Sequence, residues 1–142
     1  GTFNTSNNYC TLCAAGKKCP RRSQNQQSCN SGYYAPSGST VCTQCPAGHA
    51  CSDPSQAPVP CATGSWAGIA EGSCSVCPAG SKCPDATKQP IACHYGEYSP
   101  GDTTYCERCP AGHHCPTPAT KNACTSPDYS LGGLSLACLS CP

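Results

Sequence analysis

Apolar residues along this chain follow neither the period of an amphipathic helix nor that of a long strand. Leu, Ile, Val and Phe together account for eleven of the 142 residues. What recurs is one aromatic residue every 31 or 32 positions, usually with a glycine two positions before it and turn-forming residues after it. This pattern predicts a short β-hairpin at each aromatic and little or no helix. These aromatics are Phe3, Tyr34, Trp66, Tyr98 and Tyr129.

The cysteines share this 32-residue period. Each full period has the spacing Cys-x2-Cys-x5-Cys-x9-Cys, shortened to x8 in the last one. The eighteen cysteines are Cys10, Cys13, Cys19, Cys29, Cys42, Cys45, Cys51, Cys61, Cys74, Cys77, Cys83, Cys93, Cys106, Cys109, Cys115, Cys124, Cys138 and Cys141. The spacing divides the chain into a partial repeat at 1–9, four repeats at 10–41, 42–73, 74–105 and 106–137, and the start of a fifth at 138–142.

The aliphatic content is too low for a hydrophobic core to offset the conformational entropy of folding. Eighteen cysteines in 142 residues change that expectation, because such a density indicates a disulfide scaffold. Disulfides persist in oxidising compartments, so we expect an extracellular, surface or lumenal protein. We predict a small disulfide-rich fold of tandem hairpins and loops, in which each unit contacts only its neighbours and the units stack into an elongated rod.

A glycine also follows the second cysteine of each full repeat, in the sequences Ala-Ala-Gly or Pro-Ala-Gly. Glycine at a fixed position of this kind fits a turn that needs a positive φ or a close backbone approach. The four glycines are Gly16, Gly48, Gly80 and Gly112. The segments between the third and fourth cysteines are polar and mostly rich in proline, and we interpret them as loops.

Two stretches carry a resemblance to a known family. The sequences CTQCPAGHAC from Cys42 and CERCPAGHHCP from Cys106 resemble the ephrin-receptor-like cysteine-rich repeats. They are also similar to the cysteine-rich modules of tumour necrosis factor receptors, although this chain has four cysteines per period rather than six. The resemblance implies a disulfide-stapled, mostly β and irregular rod in an extracellular setting, and it brings no catalytic residues to this chain.

Four cysteines in a repeat allow three disulfide pairings, and the spacing does not choose among them. The resemblance implies interlocked bonds from first to third and from second to fourth cysteine, such as Cys42–Cys51 with Cys45–Cys61. The alternative closes local loops, as in Cys109–Cys115 with Cys93–Cys106. Interlocked pairing leaves Cys138 and Cys141 without partners, and local pairing leaves Cys10 and Cys141.

Two interpretations of Cys10, Cys138 and Cys141 therefore stay open. In the first, the chain is part of a longer array, and flanking repeats of the same chain supply the missing partners. In the second, these cysteines pair with another copy of the chain in a head-to-tail or lateral assembly.

Zinc is the main rival for the cysteines, because Cys-x2-Cys is a common half-site. Structural zinc sites usually combine two such half-sites, whereas here each is followed by single cysteines in a composition typical of secreted scaffolds. We predict neither a metal nor a cofactor. The phase of His49 and His113 is occupied by Lys17 and Ser81 in the other repeats, so we interpret the histidines as exposed turn residues.

Other chemistry receives little support. No Ser-His-Asp arrangement or recurring carboxylate pair is visible, so we expect no enzymatic activity. The net charge of +1 does not favour nucleic acid, and the apolar runs are too short for membrane insertion. The sequon Asn4-Thr5-Ser6 permits N-linked glycans in a secreted chain. The basic stretch from Lys17 to Arg22 is interpreted as a solvated loop, with contact to an acidic glycan as the alternative.

Two functions from different classes fit these observations. The leading hypothesis is a non-catalytic structural rod, which serves as a segment of a surface protein or as the subunit of a fibre. The alternative is the ligand-binding ectodomain of a receptor, in which the varied loops and Trp66 contact a partner.

Overall fold

The computed structural model describes residues 1–4, 10–20 and 25–141. These residues form sixteen short strands that pair in chain order as eight antiparallel hairpins, and they contain no helix. The strands are β1 Thr2–Asn4, β2 Cys10–Leu12, β3 Lys17–Lys18, β4 Gln27–Ser28, β5 Tyr33–Tyr34, β6 Thr43–Gln44, β7 His49–Ala50, β8 Val59–Pro60, β9 Ser65–Trp66, β10 Ser75–Val76, β11 Ser81–Lys82, β12 Ile91–Ala92, β13 Glu97–Tyr98, β14 Glu107–Arg108, β15 His113–Thr117 and β16 Thr120–Ala123. The predicted disulfide-rich hairpin fold without helix is confirmed.

The hairpins recur at half of the sequence period, and we call each such segment a half-repeat. Lys17 pairs with Ser28 in β3–β4, and one half-repeat later Tyr33 pairs with Gln44 in β5–β6. Two kinds of hairpin alternate. We call β3–β4, β7–β8, β11–β12 and β15–β16 the Ala-Gly hairpins, because each follows an Ala-Gly turn. We call β1–β2, β5–β6, β9–β10 and β13–β14 the aromatic hairpins, because each has an aromatic residue in its first strand.

A glycine with positive φ begins both kinds of hairpin. A cysteine further along the chain donates its N–H to the carbonyl of this glycine, as in Cys29 to Gly16 and Cys45 to Gly32, both at 2.9 Å. The turn needs φ values between 76° and 83°, which side chains other than glycine rarely adopt. The glycines are Gly16, Gly32, Gly48, Gly64, Gly80, Gly96 and Gly112. One glycine turn and one hydrogen bond thus define a half-repeat.

Among the described side chains, eight disulfides join sixteen cysteines, and their Cα–Cα distances lie between 5.7 and 5.9 Å. Four bonds span six residues across the Ala-Gly turns: Cys13–Cys19, Cys45–Cys51, Cys77–Cys83 and Cys109–Cys115. Four bonds span 13 or 14 residues: Cys29–Cys42, Cys61–Cys74, Cys93–Cys106 and Cys124–Cys138. The first three join an Ala-Gly hairpin to the aromatic hairpin that follows it. The fourth joins the last Ala-Gly hairpin to the segment that contains the isolated Tyr129–Leu139 bridge.

The interlocked pairing implied by the family resemblance is therefore wrong, and the local alternative is correct. The glycine turn is the physical reason. It reverses the chain at Gly48, so Cys45 and Cys51 face each other across the turn with Cα atoms 5.8 Å apart. Cys61 lies at the end of the hairpin and meets Cys74 instead. Cys138, unpaired under the interlocked scheme, is bonded to Cys124.

The interpretation of the segments between the third and fourth cysteines as loops is partly wrong. The last residues of each segment form the second strand of an Ala-Gly hairpin, as Val59–Pro60 does in β8. Pro60 fits there because the hairpin is a two-stranded ribbon, in which every strand is an edge strand. The longest such strand is Thr120–Ala123, where β15–β16 contains a register shift between His114 and Thr117.

The chain divides into two compact units. The first comprises Gly1–Cys61 and Ala67–Cys74, and the second comprises Ala62–Trp66 and Ser75–Pro142. Within each unit, backbone hydrogen bonds join successive half-repeats. The Gly16 N–H donates to the Ala35 carbonyl at 2.8 Å in the first unit, and the Gly80 N–H donates to the Ser99 carbonyl at 2.9 Å in the second.

Half-cystines form most of the core. Most of the buried apolar residues are cysteines, and the aliphatic side chains of Val59, Ile69 and Val76 are exposed instead. Tyr98 is 6% exposed and packs in one cluster with Cys109 and Cys115. Tyr98 therefore covers the Cys109–Cys115 disulfide, which supplies a thin core at this position despite the low aliphatic content.

Candidate functional site

The stretch from Cys106 to Pro116, which is rich in potential metal ligands, contains a turn that is closed by a disulfide. Cys109 and Cys115 are bonded to each other and buried. Gly112 has a φ of 77°, and its N–H donates to the Ser130 carbonyl at 2.9 Å. The constant residues of the motif thus hold the backbone, while the histidines between them occupy the half-exposed start of strand β15.

The histidines contact their own turns. Nδ1 of His49 lies 3.2 Å from the Ala47 carbonyl oxygen, and Nδ1 of His113 lies 3.4 Å from the Ala111 carbonyl oxygen. His94 is exposed, as predicted, whereas His49 and His113 are half-buried beside the turn. Their rings pack on the reversed chain because the preceding glycine turns the strand back toward the Ala-Gly carbonyls.

One cluster has the donor types of a metal site. Ligand atoms of His114, Cys124 and Cys138 all lie within 4.8 Å of one another. Cys124 and Cys138 form a disulfide, however, and a cysteine binds zinc as a thiolate. The bonded sulfurs therefore do not provide zinc ligands, although Nδ1 of His114 lies 3.1 Å from the Cys138 sulfur.

The sequence reasoning missed this histidine–disulfide contact. His114 and Cys138 are 24 residues apart, and no motif links them. The ring also lies beside Asn122, whose Nδ2 is 3.5 Å from its Nε2. The disulfide it touches spans 14 residues rather than the usual 13, so the contact lies at the least regular of the inter-hairpin bonds.

The second unit contains a polar network around Tyr98. The Tyr98 hydroxyl donates to Glu107 Oε2 at 3.0 Å and accepts a hydrogen bond from Lys121 Nζ. The hydroxyl of Tyr105 donates to the other oxygen of Glu107 at 3.4 Å. The network satisfies the polar end of a buried aromatic and joins an aromatic hairpin to the following Ala-Gly hairpin.

The remaining candidate residues lie in different hairpins. Trp66 is half-buried in β9 opposite Ser75, and Lys17 and Lys18 form the half-buried strand β3. Arg21 and Arg22 of the basic stretch lie outside the described residues. Thr5 and Ser6 of the sequon also lie outside the described residues. For Asn4, the structure describes only the backbone, which forms part of β1.

An apolar surface near the C-terminus was not anticipated from the cysteine pattern. Four of the five leucines of the chain lie within nine residues and are between 43% and 83% exposed. They line an open cleft of about 480 Å³. The leucine surface consists of Leu131, Leu134, Leu136 and Leu139. The signal that could have revealed it is this leucine cluster in a chain with few aliphatic residues.

Cys141 lies next to this surface in the sequence. It is a free, exposed thiol in the described part of the chain, in agreement with its unpaired position under the local scheme. The Tyr129–Leu139 pair precedes it as an isolated antiparallel bridge, with both N–H···O distances at 2.8 Å. The side chain of Cys10, the other cysteine unpaired under that scheme, lies outside the described part.

Comparison with known proteins gives no family assignment. No family model matches the chain, and no curated protein matches it. Among the described residues, no helix is long and apolar enough to cross a membrane. The eight disulfides fit an oxidising environment and are compatible with an extracellular protein.

Proposed function

We propose that this protein is a non-catalytic extracellular structural element, which serves as a segment of a surface protein or as the subunit of a fibre. The observation that carries the proposal is the near-constant half-repeat. One glycine turn, one hydrogen bond and one disulfide recur from each half-repeat to the next. The histidines and charged side chains, which could bind metals or take part in catalysis, change from repeat to repeat. A structural spacer requires a constant backbone unit but no constant reactive side chains, which is the pattern found here.

The distribution of burial supports the same role. The buried positions are mostly half-cystines and small residues, so the fold depends little on aliphatic packing and resists unfolding through its covalent closures. His49 and His113 contact turn carbonyl oxygens, and His114 contacts a disulfide. These features favour a structural role over catalysis.

The sequence motif adds support for the location. Repeats of the form Cys-x2-Cys-Pro-Ala-Gly-x2-Cys resemble ephrin-receptor-like modules, which occur at cell surfaces and in secreted proteins. We extend that setting to this chain, with N-linked glycans at Asn4 where the sequon is used. Within each compact unit, successive half-repeats are then joined through contacts between neighbours.

Electron microscopy of the native material tests the proposal. We expect regular filaments or rod-like projections whose axial spacing is a multiple of the half-repeat. A soluble globular monomer that captures one defined partner would contradict the structural role.

A receptor ectodomain is the second candidate, and one observation favours it. Tyr95 and Tyr105 are 64% and 58% exposed in the second unit, and large exposed aromatics are frequent at binding hot spots. A binding partner retained by the wild-type chain and lost by Tyr105→Ala, with the disulfides intact, would support this function.

A further inference from the structure

One disulfide differs from the other described disulfides in its surroundings. Nδ1 of His114 lies 3.1 Å from the sulfur of Cys138, which is bonded to Cys124. Among the described residues, Cys138 is the only half-cystine whose sulfur lies within hydrogen-bond distance of a histidine ring nitrogen. The histidine and both half-cystines are half-buried, so a small solute can reach this bond from solvent.

The other ring nitrogen determines the direction of this contact. The Asn122 amide lies beside the ring, with its Nδ2 at 3.5 Å from Nε2 of His114, and the two residues pair across β15–β16. When the amide N–H donates to Nε2, the ring proton stands on Nδ1, because a neutral imidazole has one donor and one acceptor nitrogen. The Nδ1–H of His114 then donates to the Cys138 sulfur.

We propose that Cys124–Cys138 is a site of thiol–disulfide exchange, at which a low-molecular-weight thiol such as glutathione becomes attached to Cys124. His114 directs the exchange, because a sulfur that accepts a hydrogen bond from an imidazole N–H is the better leaving group. This site goes beyond the proposed structural role and does not depend on it.

The exchange balances without a further oxidant or reductant. The incoming thiol releases its proton to water, and its thiolate attacks the Cys124 sulfur to form a new sulfur–sulfur bond. The bond between Cys124 and Cys138 breaks, and its electron pair stays on the Cys138 sulfur, where the Nδ1–H of His114 stabilises the developing charge. A proton from water then completes the Cys138 thiol. The products are one mixed disulfide at Cys124 and one free thiol at Cys138.

The exchange changes the closure of one segment. The Cys124–Cys138 bond closes a stretch of chain that contains Leu131, Leu134 and Leu136 of the leucine surface. Opening it removes the covalent tie between this stretch and the last Ala-Gly hairpin, and the other described disulfides stay closed. A thiol of the surroundings can therefore be attached beside the leucine surface without loss of the remaining fold.

A second disulfide provides a matched comparison inside the same chain. Ala50 in β7 stands where His114 stands in β15, one residue before the third cysteine of its repeat. Ala50 pairs with Val59, as His114 pairs with Asn122. The bond of this repeat, Cys61–Cys74, is also half-buried, and no histidine ring contacts its sulfurs among the described residues.

The test opens both bonds in the full chain under native conditions. The free thiols, including that of Cys141, are first alkylated with iodoacetamide. Reduced glutathione is then added, and new thiols are trapped with N-ethylmaleimide. At early times, peptide mass spectrometry should find glutathione on Cys124 and maleimide on Cys138. We expect this bond to open about tenfold or more faster than Cys61–Cys74, which is the rate effect of one hydrogen bond to a charged group.

Replacing the histidine separates its effect from the position of the bond. His114→Phe keeps a ring but removes the N–H donor, so opening should slow about tenfold or more. Glutathione should then divide between Cys124 and Cys138, since neither sulfur is favoured as the leaving group. A change of the attacked sulfur is a readout that a merely structural role of the ring would not produce.

The matched repeat allows the reverse experiment. The double variant Ala50→His and Val59→Asn places the same two side chains on the same hairpin register as in β15–β16. It should accelerate the opening of Cys61–Cys74 about tenfold or more relative to Val59→Asn alone, with glutathione on Cys61.

Three results would overturn the exchange site. The first is a wild-type chain in which Cys124–Cys138 opens no faster than Cys61–Cys74. The second is His114→Phe with an unchanged rate and glutathione on Cys124 alone. The third is a double variant of the matched repeat without acceleration. Near-ultraviolet circular dichroism and a disulfide map before addition of glutathione check that each variant has the native fold and pairing.

Discussion

The Ala-Gly hairpins and the aromatic hairpins have the same strand register and the same glycine turn, yet they are closed differently. In an Ala-Gly hairpin the disulfide spans six residues, and both half-cystines are buried, as in Cys45–Cys51. In an aromatic hairpin the disulfide arrives from the preceding half-repeat over 13 residues, and the half-cystines of Cys61–Cys74 are only half-buried. All eight half-cystines of the six-residue bonds are buried, whereas the longer bonds join neighbouring half-repeats and contribute only Cys29 and Cys93 to the buried residues.

This difference shows how a chain with few aliphatic residues forms a repeating, disulfide-stabilised structure. The backbone unit is one half-repeat, but Ala-Gly and aromatic hairpins alternate, so the sequence repeats only after two such units. In one aromatic hairpin Tyr98 covers Cys109–Cys115, which is the buried disulfide of the following Ala-Gly hairpin. The effect of a substitution on stability then depends on which of the two kinds of hairpin it changes.

The largest expected effect comes from removing one disulfide of each kind. Loop-closure entropy alone makes Cys61–Cys74 more valuable than Cys45–Cys51 by about 0.7 kcal/mol, because its loop is longer. Burial favours the opposite order, since replacing the buried Cys45 and Cys51 also leaves cavities. We expect the double alanine variant of Cys45 and Cys51 to lose ~4 kcal/mol of unfolding free energy, and that of Cys61 and Cys74 to lose ~3 kcal/mol.

Urea unfolding of both variants under non-reducing conditions measures this order. A larger loss for the pair at Cys61 and Cys74 would mean that loop closure, and not the buried sulfur, dominates the stability of this structure.

The glycine turns sharpen the comparison between the two kinds of hairpin. A Cβ on Gly64 would lie 2.6 Å from the Asp102 carbonyl oxygen, whereas a Cβ on Gly112 would meet nothing within 4 Å. Both glycines have positive φ, at 81° and 77°. We expect Gly64→Ala to cost ~3 kcal/mol and Gly112→Ala ~1 kcal/mol, because only the first adds a backbone clash to the cost of the left-handed conformation.

Gly68→Ala is the matched control, since Gly68 lacks a positive φ and its nearest neighbour is a flexible Glu71 side-chain oxygen at 3.8 Å. Its unfolding free energy should stay within ~0.5 kcal/mol of the wild-type value. Equal losses for Gly64→Ala and Gly112→Ala in thermal unfolding would show that the close approach to Asp102 does not constrain the aromatic hairpin.

A smaller effect should separate two aromatic hairpins. Tyr98→Phe removes a hydroxyl that contacts Glu107 and Lys121, so we expect a loss of ~1 kcal/mol in unfolding free energy. Tyr34→Phe should be close to neutral, because the Tyr34 hydroxyl has no hydrogen-bond partner among the described residues. Indistinguishable urea midpoints for the two variants would remove the Tyr98 network from the account.

The smallest effect concerns two Ala-Gly hairpins with aspartate in the loop. Hydrogen bonds from the Ser55 hydroxyl and N–H lower the pKa of Asp53, and those from the Thr87 hydroxyl and N–H lower the pKa of Asp85. Because the folded pKa values lie below the ordinary value, the contribution is present above about pH 4 and disappears as the pH falls through the lowered values.

The double variant Asp53→Asn and Asp85→Asn should therefore show a flatter decline of the melting temperature between about pH 5 and about pH 2 than the wild type. Asp128→Asn serves as a control for the loss of a carboxylate. An unchanged pH dependence in the double variant would show that these exposed loop contacts add nothing measurable, as is common for exposed charges.

Much of the architecture is visible in the sequence. The aromatic positions predict the hairpins, and the Ala-Gly positions predict the glycine turns, because turn chemistry is local. The even spacing of Gly16, Gly32 and Gly48 was also visible, but the alternation of extra cysteines concealed it. Strands such as Val59–Pro60 were missed because two residues carry too little pattern to be distinguished from a loop.

The pairing and the clusters could not be predicted in the same way. Which cysteine faces Cys45 depends on the three-dimensional reversal at Gly48, and several pairings satisfy the same spacing. The contact of His114 with Cys138 bridges 24 residues and follows from the packing of two half-repeats. Long-range contacts of this kind leave no periodic trace in one sequence.

The central claim is that local disulfides, and not interlocked bonds or metal ligands, close each half-repeat. Proteolytic mapping of the natively oxidised chain by mass spectrometry tests it directly. The account predicts the linked pairs Cys109–Cys115 and Cys93–Cys106, with the same pattern in the other repeats. Detection of Cys42–Cys51 with Cys45–Cys61, or of free thiols that bind zinc, would contradict it.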